Sequence, residues 1–113
     1  MNSEIEYMRA FLIILKGRSK DGLEDTLLKA HIAHLKKLSH AGNLIVCGPF
    51  TDDQGGMLVI EARSEEDVVA MLQADPFIQE KYYQSYSITE FYKADESNQY
   101  LENHDQTIGE LLD

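Results

Sequence analysis

The 113-residue chain is poor in the features that define several large classes of protein. It has a single cysteine, Cys47, so no intramolecular disulfide framework is possible. Its longest apolar run, Phe11–Leu15, falls far short of the roughly 20 residues a membrane helix needs. The first residues, Met1–Tyr7, contain acids and no apolar core segment, so no signal peptide is read there and the cytoplasm is the expected compartment. Basic residues are scarce: ten Lys and Arg against twenty Asp and Glu, a net charge of −10. A duplex-binding surface needs clustered cations, and none is visible, so nucleic acid is not an expected partner. Neither G-x-S-x-G nor G-x-x-x-x-G-K-[ST] occurs, which leaves nucleophile-elbow and phosphate-loop chemistry without support.

What remains is an ordinary globular composition, 43% hydrophobic and 27% charged. The length favours one domain. All ten cations and twelve of the acids lie between residues 8 and 93; the segment from Asp95 onward adds acids and no base. The expected organisation is therefore a near-neutral domain over 8–93 followed by an acidic tail over 94–113. In that tail Tyr100, Leu101, Ile108, Leu111 and Leu112 are spaced for a short amphipathic helix, and a plain solvated tail fits equally.

Within the domain, Met8–Leu15 reads as a strand apolar on both faces. Leu23 to about Ala41 reads as a helix, with Gly42 as its left-handed stop. Asn43–Pro49 is a second strand, Asp52–Gly56 a turn in which the glycines permit positive φ, and Met57–Ala62 a third strand. Ser64 is placed to cap a second helix whose first turn carries Glu65, Glu66 and Asp67. Val68, Val69 and Leu72 form that helix's inner stripe, and it should stop before Pro76. Tyr82–Tyr92 is the last strand. This order predicts an α+β, ferredoxin-like β-α-β-β-α-β fold with an antiparallel sheet. Two helices cover one face of such a sheet, so a second copy of the chain is expected on the other, making a homodimer.

His31 is the residue that departs from the pattern. At 100° per residue, Leu27, Leu35 and Leu38 fall within about 40° of it and Leu28 within about 60°, so it sits in a leucine stripe. A buried imidazole costs stability unless its nitrogens are bonded. It is either a satisfied core histidine or a pocket histidine able to move a proton near neutral pH. Asp75 also has two readings: a cap for a turn beginning at Pro76, or the carboxylate that orients His31. His31, His34 and Asp75 lack the spacing and cysteine support of a metal set, so neither metal nor cofactor is expected. Cys47, in a strand without an activating neighbour, reads as an inert core thiol. Tyr82, Tyr83, Tyr86 and Tyr92 read as packing residues, one of which is free to bond a ligand.

Gly48-Pro49-Phe50, Gly55-Gly56-Met57-Leu58, Ser64-Glu65-Glu66 and Asp75-Pro76-Phe77, with His31 upstream, resemble the YciI-like (YCII-related) family over about residues 8–92. The resemblance implies a dimeric α/β barrel with a His–Asp pair at its site, roles that fall on His31 and Asp75. It further points to His34, Gly48, Pro49 and Phe77 as ligand-contacting positions. Family members include dehydrochlorinases of chlorinated aromatic intermediates, and the fold resembles that of muconolactone isomerases. The implied function is a small-molecule lyase or isomerase; the alternative is a non-catalytic ligand-binding or assembly module, with the acidic tail as a third candidate for recruiting a partner. Two departures stand out. Many relatives carry Arg-Pro shortly before the histidine, whereas Leu28-Lys29-Ala30 precede it here, so an anion-binding arginine is missing at that point. The tail after Lys93 also exceeds the family's usual length.

Overall fold

The computed structural model describes residues 8–102. Four strands, β1 (Arg9–Arg18), β2 (Leu44–Pro49), β3 (Gly55–Ala62) and β4 (Tyr83–Phe91), form one sheet in the order β2-β3-β1-β4. Every neighbouring pair is antiparallel. Helix α1 (Asp25–His40) follows β1, helix α2 (Glu65–Gln73) follows β3, and a short helix α3 (Pro76–Gln79) precedes β4. This is the α+β ferredoxin-like arrangement that the element order predicts.

Alternation along the central strands divides the apolar residues between two faces. Phe11, Ile13 and Leu15 of β1 pair with Ile60, Leu58 and Gly56 of β3, and all six are buried against the helices. Val68 and Leu72 of α2 and Phe77 of α3 complete that core, with Leu27, Leu28 and Leu35 of α1 packed on its edge. The intervening residues Leu12, Ile14, Met57 and Val59 point to the other face and are only half-buried. Val46, opposite Val59 on edge strand β2, is 52% exposed.

Local chemistry accounts for the helix boundaries. Ser64 Oγ accepts a hydrogen bond from the Asp67 amide at 3.1 Å, and three acids follow in the first turn of α2. Gly42 ends α1 at φ +86°.

Three expectations need correction. Gly55 and Gly56 belong to β3, opposite Lys16 and Leu15, and the left-handed turn residue is Asp53 at φ +66°. Glycine is needed at 55 because a Cβ there would lie 2.2 Å from the Leu15 carbonyl oxygen. β1 runs beyond the Leu15 boundary read from sequence because Lys16 and Arg18 continue its pairing with Ser85 and Tyr83 of β4, and Arg18 holds the Asp53 turn through an ion pair of 3.1 Å. Beyond β4, the chain forms a 3₁₀ turn over Glu96–Leu101 in which Gln99, Tyr100 and Leu101 take positive φ, so no amphipathic helix includes Tyr100 or Leu101. Ile108, Leu111 and Leu112 lie outside the described residues. Among the described residues no helix is long and apolar enough to cross a membrane.

Candidate functional site

His31 and Asp75 meet, although 44 positions separate them in sequence. His31 Nδ1 lies 2.9 Å and 3.1 Å from the two Asp75 oxygens. A carboxylate is an acceptor, so Nδ1 carries the hydrogen, and whenever the ring is neutral Nε2 is its acceptor nitrogen. Nε2 has no hydrogen-bond partner among the described residues.

Asp75 fills both of its sequence readings together. Its Oδ1 accepts from the Phe77 amide at 2.9 Å, capping α3, while the same carboxylate grips His31. Its side chain is only 4% exposed, against 13% for His31. Pro76 at the first helical position fixes the turn, so the carboxylate is held by backbone geometry as well as by the imidazole.

Phe77 completes the mount. Its ring stacks on His31 with centroids 3.6 Å apart and planes 6° from parallel. Tyr82 and Tyr83 pack in turn on Phe77, at 4.5 Å and 5.9 Å. The imidazole is thus fixed by a carboxylate at one nitrogen and an aromatic cluster on its ring face.

His31 lines a cavity of about 90 Å³ shared with Leu15, Leu35, Cys47, Gly48, Pro49, Gly56, Met57, Leu58 and Tyr83. The wall is apolar and includes no Lys or Arg. Gly48 and Pro49 fall on this wall, and Phe77 lies against the histidine. His34 is directed elsewhere: its Nε2 is 2.9 Å from the Met71 carbonyl oxygen of α2, and it is not part of the cavity lining. One helical turn beyond His31, it ties α1 to α2.

The structure also changes the reading of Cys47. The thiol is exposed and on the cavity wall, not in the core, on the edge strand β2. Partial burial, then the nearby Asp75 charge, push its pKa up, so it is held as a neutral thiol. Cys47 and Tyr83 are the polar wall residues that sequence reasoning did not place. Their only signal was residue type, and neither strand pairing nor periodicity tells a wall residue from a packing one. No cluster of three or more His, Cys, Asp and Glu residues able to hold a metal is present among the described residues.

A family model for the YCII-related domain matches residues 8–92, the whole of the sheet and its helices. The chain belongs to the YCII-related domain family. A solved structure with the same fold is 5-chloro-2-hydroxyhydroquinone dehydrochlorinase (TftG) from Burkholderia phenoliruptrix AC1100, in complex with 2,5-dihydroxybenzoquinone. It is 26% identical to this YCII-related protein, with a TM-score of 0.59, covering 78% of this chain and 97% of that one. No curated protein matches the sequence.

Proposed function

We propose that this YCII-related protein is a small-molecule enzyme of the lyase or isomerase type, in which His31 moves a proton and Asp75 fixes its ring. The observation that carries the proposal is an imidazole on an apolar cavity wall, with Nδ1 bound by a buried carboxylate and Nε2 unengaged. Such a ring takes a proton from a carbon beside a carbonyl, and the freed electron pair passes into that carbonyl as an enolate. Return of the proton at another carbon is an isomerisation. Departure of a halide with its bonding electrons is a lyase outcome, the net loss being one proton and one halide ion. The likeness to a dehydrochlorinase favours the second route.

The cavity itself is small. Ligand sites usually enclose roughly 300–1,000 Å³, and about 90 Å³ is too little for a substituted ring. Met57 belongs both to the cavity wall and to the sheet face that none of the described helices covers, with Leu12, Ile14, Val46 and Val59. A second copy packed on that face would bury the apolar strip and extend the wall at Met57, so the enzyme is read as a homodimer.

The test is chloride release from 5-chloro-2-hydroxyhydroquinone. Turnover by the wild type that falls roughly 10²- to 10⁴-fold in His31→Ala, with an unchanged circular dichroism spectrum, is the expected result. A His31→Ala protein that retains the full rate overturns the proposal.

A second reading has support in the cap that Asp75 provides for α3. The His31–Asp75 pair is then a structural clasp in a non-catalytic binding module. In that case His31→Leu is as stable as the wild type or more so, because an apolar side chain replaces a buried polar pair. A ligand-induced thermal shift without product would favour this reading.

A further inference from the structure

Three tyrosines of the β4 region pack near the core, and two have partners for their hydroxyls. Arg18 Nη1 lies 3.4 Å from the Tyr82 hydroxyl, and Gln73 Nε2 lies 3.1 Å from that of Tyr86. Tyr83 differs. It is only 7% exposed, yet its hydroxyl makes no hydrogen bond among the described residues. Buried tyrosine hydroxyls normally find a partner, and one that does not calls for an explanation.

The hydroxyl's surroundings supply one. Tyr83 lines the same cavity as His31. Its ring is held edge-on by Tyr82 at 5.1 Å and by Phe77 at 5.9 Å, the latter being the ring on which His31 stacks. Its Oη lies beside Gly56: a Cβ built there would sit 3.5 Å from Oη and 3.0 Å from the Gly48 carbonyl oxygen. The lack of a side chain at Gly56 therefore keeps the space next to the hydroxyl clear.

We infer that Tyr83 Oη donates a hydrogen bond to an oxygen of the bound molecule, making Tyr83 the second polar anchor of the cavity beside His31. The inference deepens the functional reading of His31 and rests on it. Burial, then the neighbouring Tyr82, raise the phenol's pKa against the opposing pull of Arg18, so the group stays protonated and able to donate. With Leu15, Leu35, Met57 and Leu58 around it and no Lys or Arg on the described wall, the cavity, once enlarged by the second copy, suits a planar ring bearing hydroxyl or keto oxygens. Carboxylates and phosphates would find no counter-charge there. A donor on the same cavity wall as the base stabilises negative charge that develops on the ring oxygen as His31 removes a proton.

The test uses the full chain and 2,5-dihydroxybenzoquinone, titrated by calorimetry into wild type, Tyr83→Phe and His31→Ala, with melting temperatures taken on the unliganded proteins. The expected result is that Tyr83→Phe binds about tenfold more weakly, the worth of one hydrogen bond. Its melting temperature stays equal to or rises above that of the wild type, because no protein partner is lost. Unchanged affinity in Tyr83→Phe, with binding impaired in His31→Ala, overturns the role of Tyr83 and leaves that of His31 standing. A wild type that takes up no probe overturns both. A lowered melting temperature in Tyr83→Phe overturns the premise that the hydroxyl is unpartnered. 3-Fluorotyrosine at position 83 gives an independent reading: its ¹⁹F resonance shifts on adding the probe if the phenol contacts it, and a resonance that does not move counts against the assignment.

Discussion

The His31 and Phe77 rings lie face to face, 3.6 Å between centroids and 6° from parallel, so the orientation of the imidazole depends on α3 twice. The helix gives the stacking ring, and its cap, Asp75, gives the carboxylate. Replacing Phe77 with Leu keeps the volume approximately and removes the stack. Loss of stability by about 1 kcal/mol is expected from the aromatic contact alone, together with lower turnover. Urea denaturation and chloride release measure the two parts, and a variant equal to wild type in both would show that the stack holds nothing.

Asp75→Asn and Asp75→Ala separate the cap from the clasp. The Asn side-chain oxygen can still accept from the Phe77 amide, so α3 stays capped, whereas Ala loses about 1 kcal/mol more. Both variants lose the anionic partner of His31, and turnover falls in both, by roughly 10²-fold or more. Comparable stability of the two variants would mean that the cap contributes little.

His34→Ala removes the bond to the Met71 carbonyl and leaves the cavity wall intact. The expected cost is about 1 kcal/mol in stability, with the dissociation constant for 2,5-dihydroxybenzoquinone unchanged. Weakened binding at unchanged stability would instead place His34 at the ligand, as the family resemblance implies.

The Cys47 thiol has its pKa raised by burial first and by the Asp75 charge second. Thiolate is the reactive form, so less of it exists at neutral pH than in a free cysteine. Alkylation by iodoacetamide at pH 7 is expected to be slower than that of a cysteine peptide and to climb steeply at alkaline pH. Asp75→Asn removes a negative charge, lowers the thiol pKa and speeds the reaction. Rapid labelling of the wild type at pH 7 would contradict this assignment.

Placing a charge on the sheet face opposite the described helices tests the homodimer. Val59→Glu puts a carboxylate among Leu12, Ile14, Val46 and Met57, and burying it unpaired against a second copy is strongly unfavourable. Sedimentation should show a dimer for the wild type and a monomer for the variant. A wild type that sediments as a monomer at every concentration removes this assembly.

The sequence alone carried the element order, the capping Ser64, the stop at Gly42, the split of β1 into two apolar faces and the oddity of a histidine among leucines. These are local or periodic properties, set by backbone preferences and side-chain spacing within a few residues. It misjudged Gly55 and Gly56, because their glycines answer to the approach of the Leu15 carbonyl from another strand and not to a turn. It could not separate the two roles of Asp75 or tell Tyr83 from its neighbouring tyrosines. Those distinctions arise only when α1, α3 and the ends of β2, β3 and β4 are brought together. Packing alone decided that one carboxylate would both cap a helix and hold His31, and that one buried hydroxyl would be left facing a cavity.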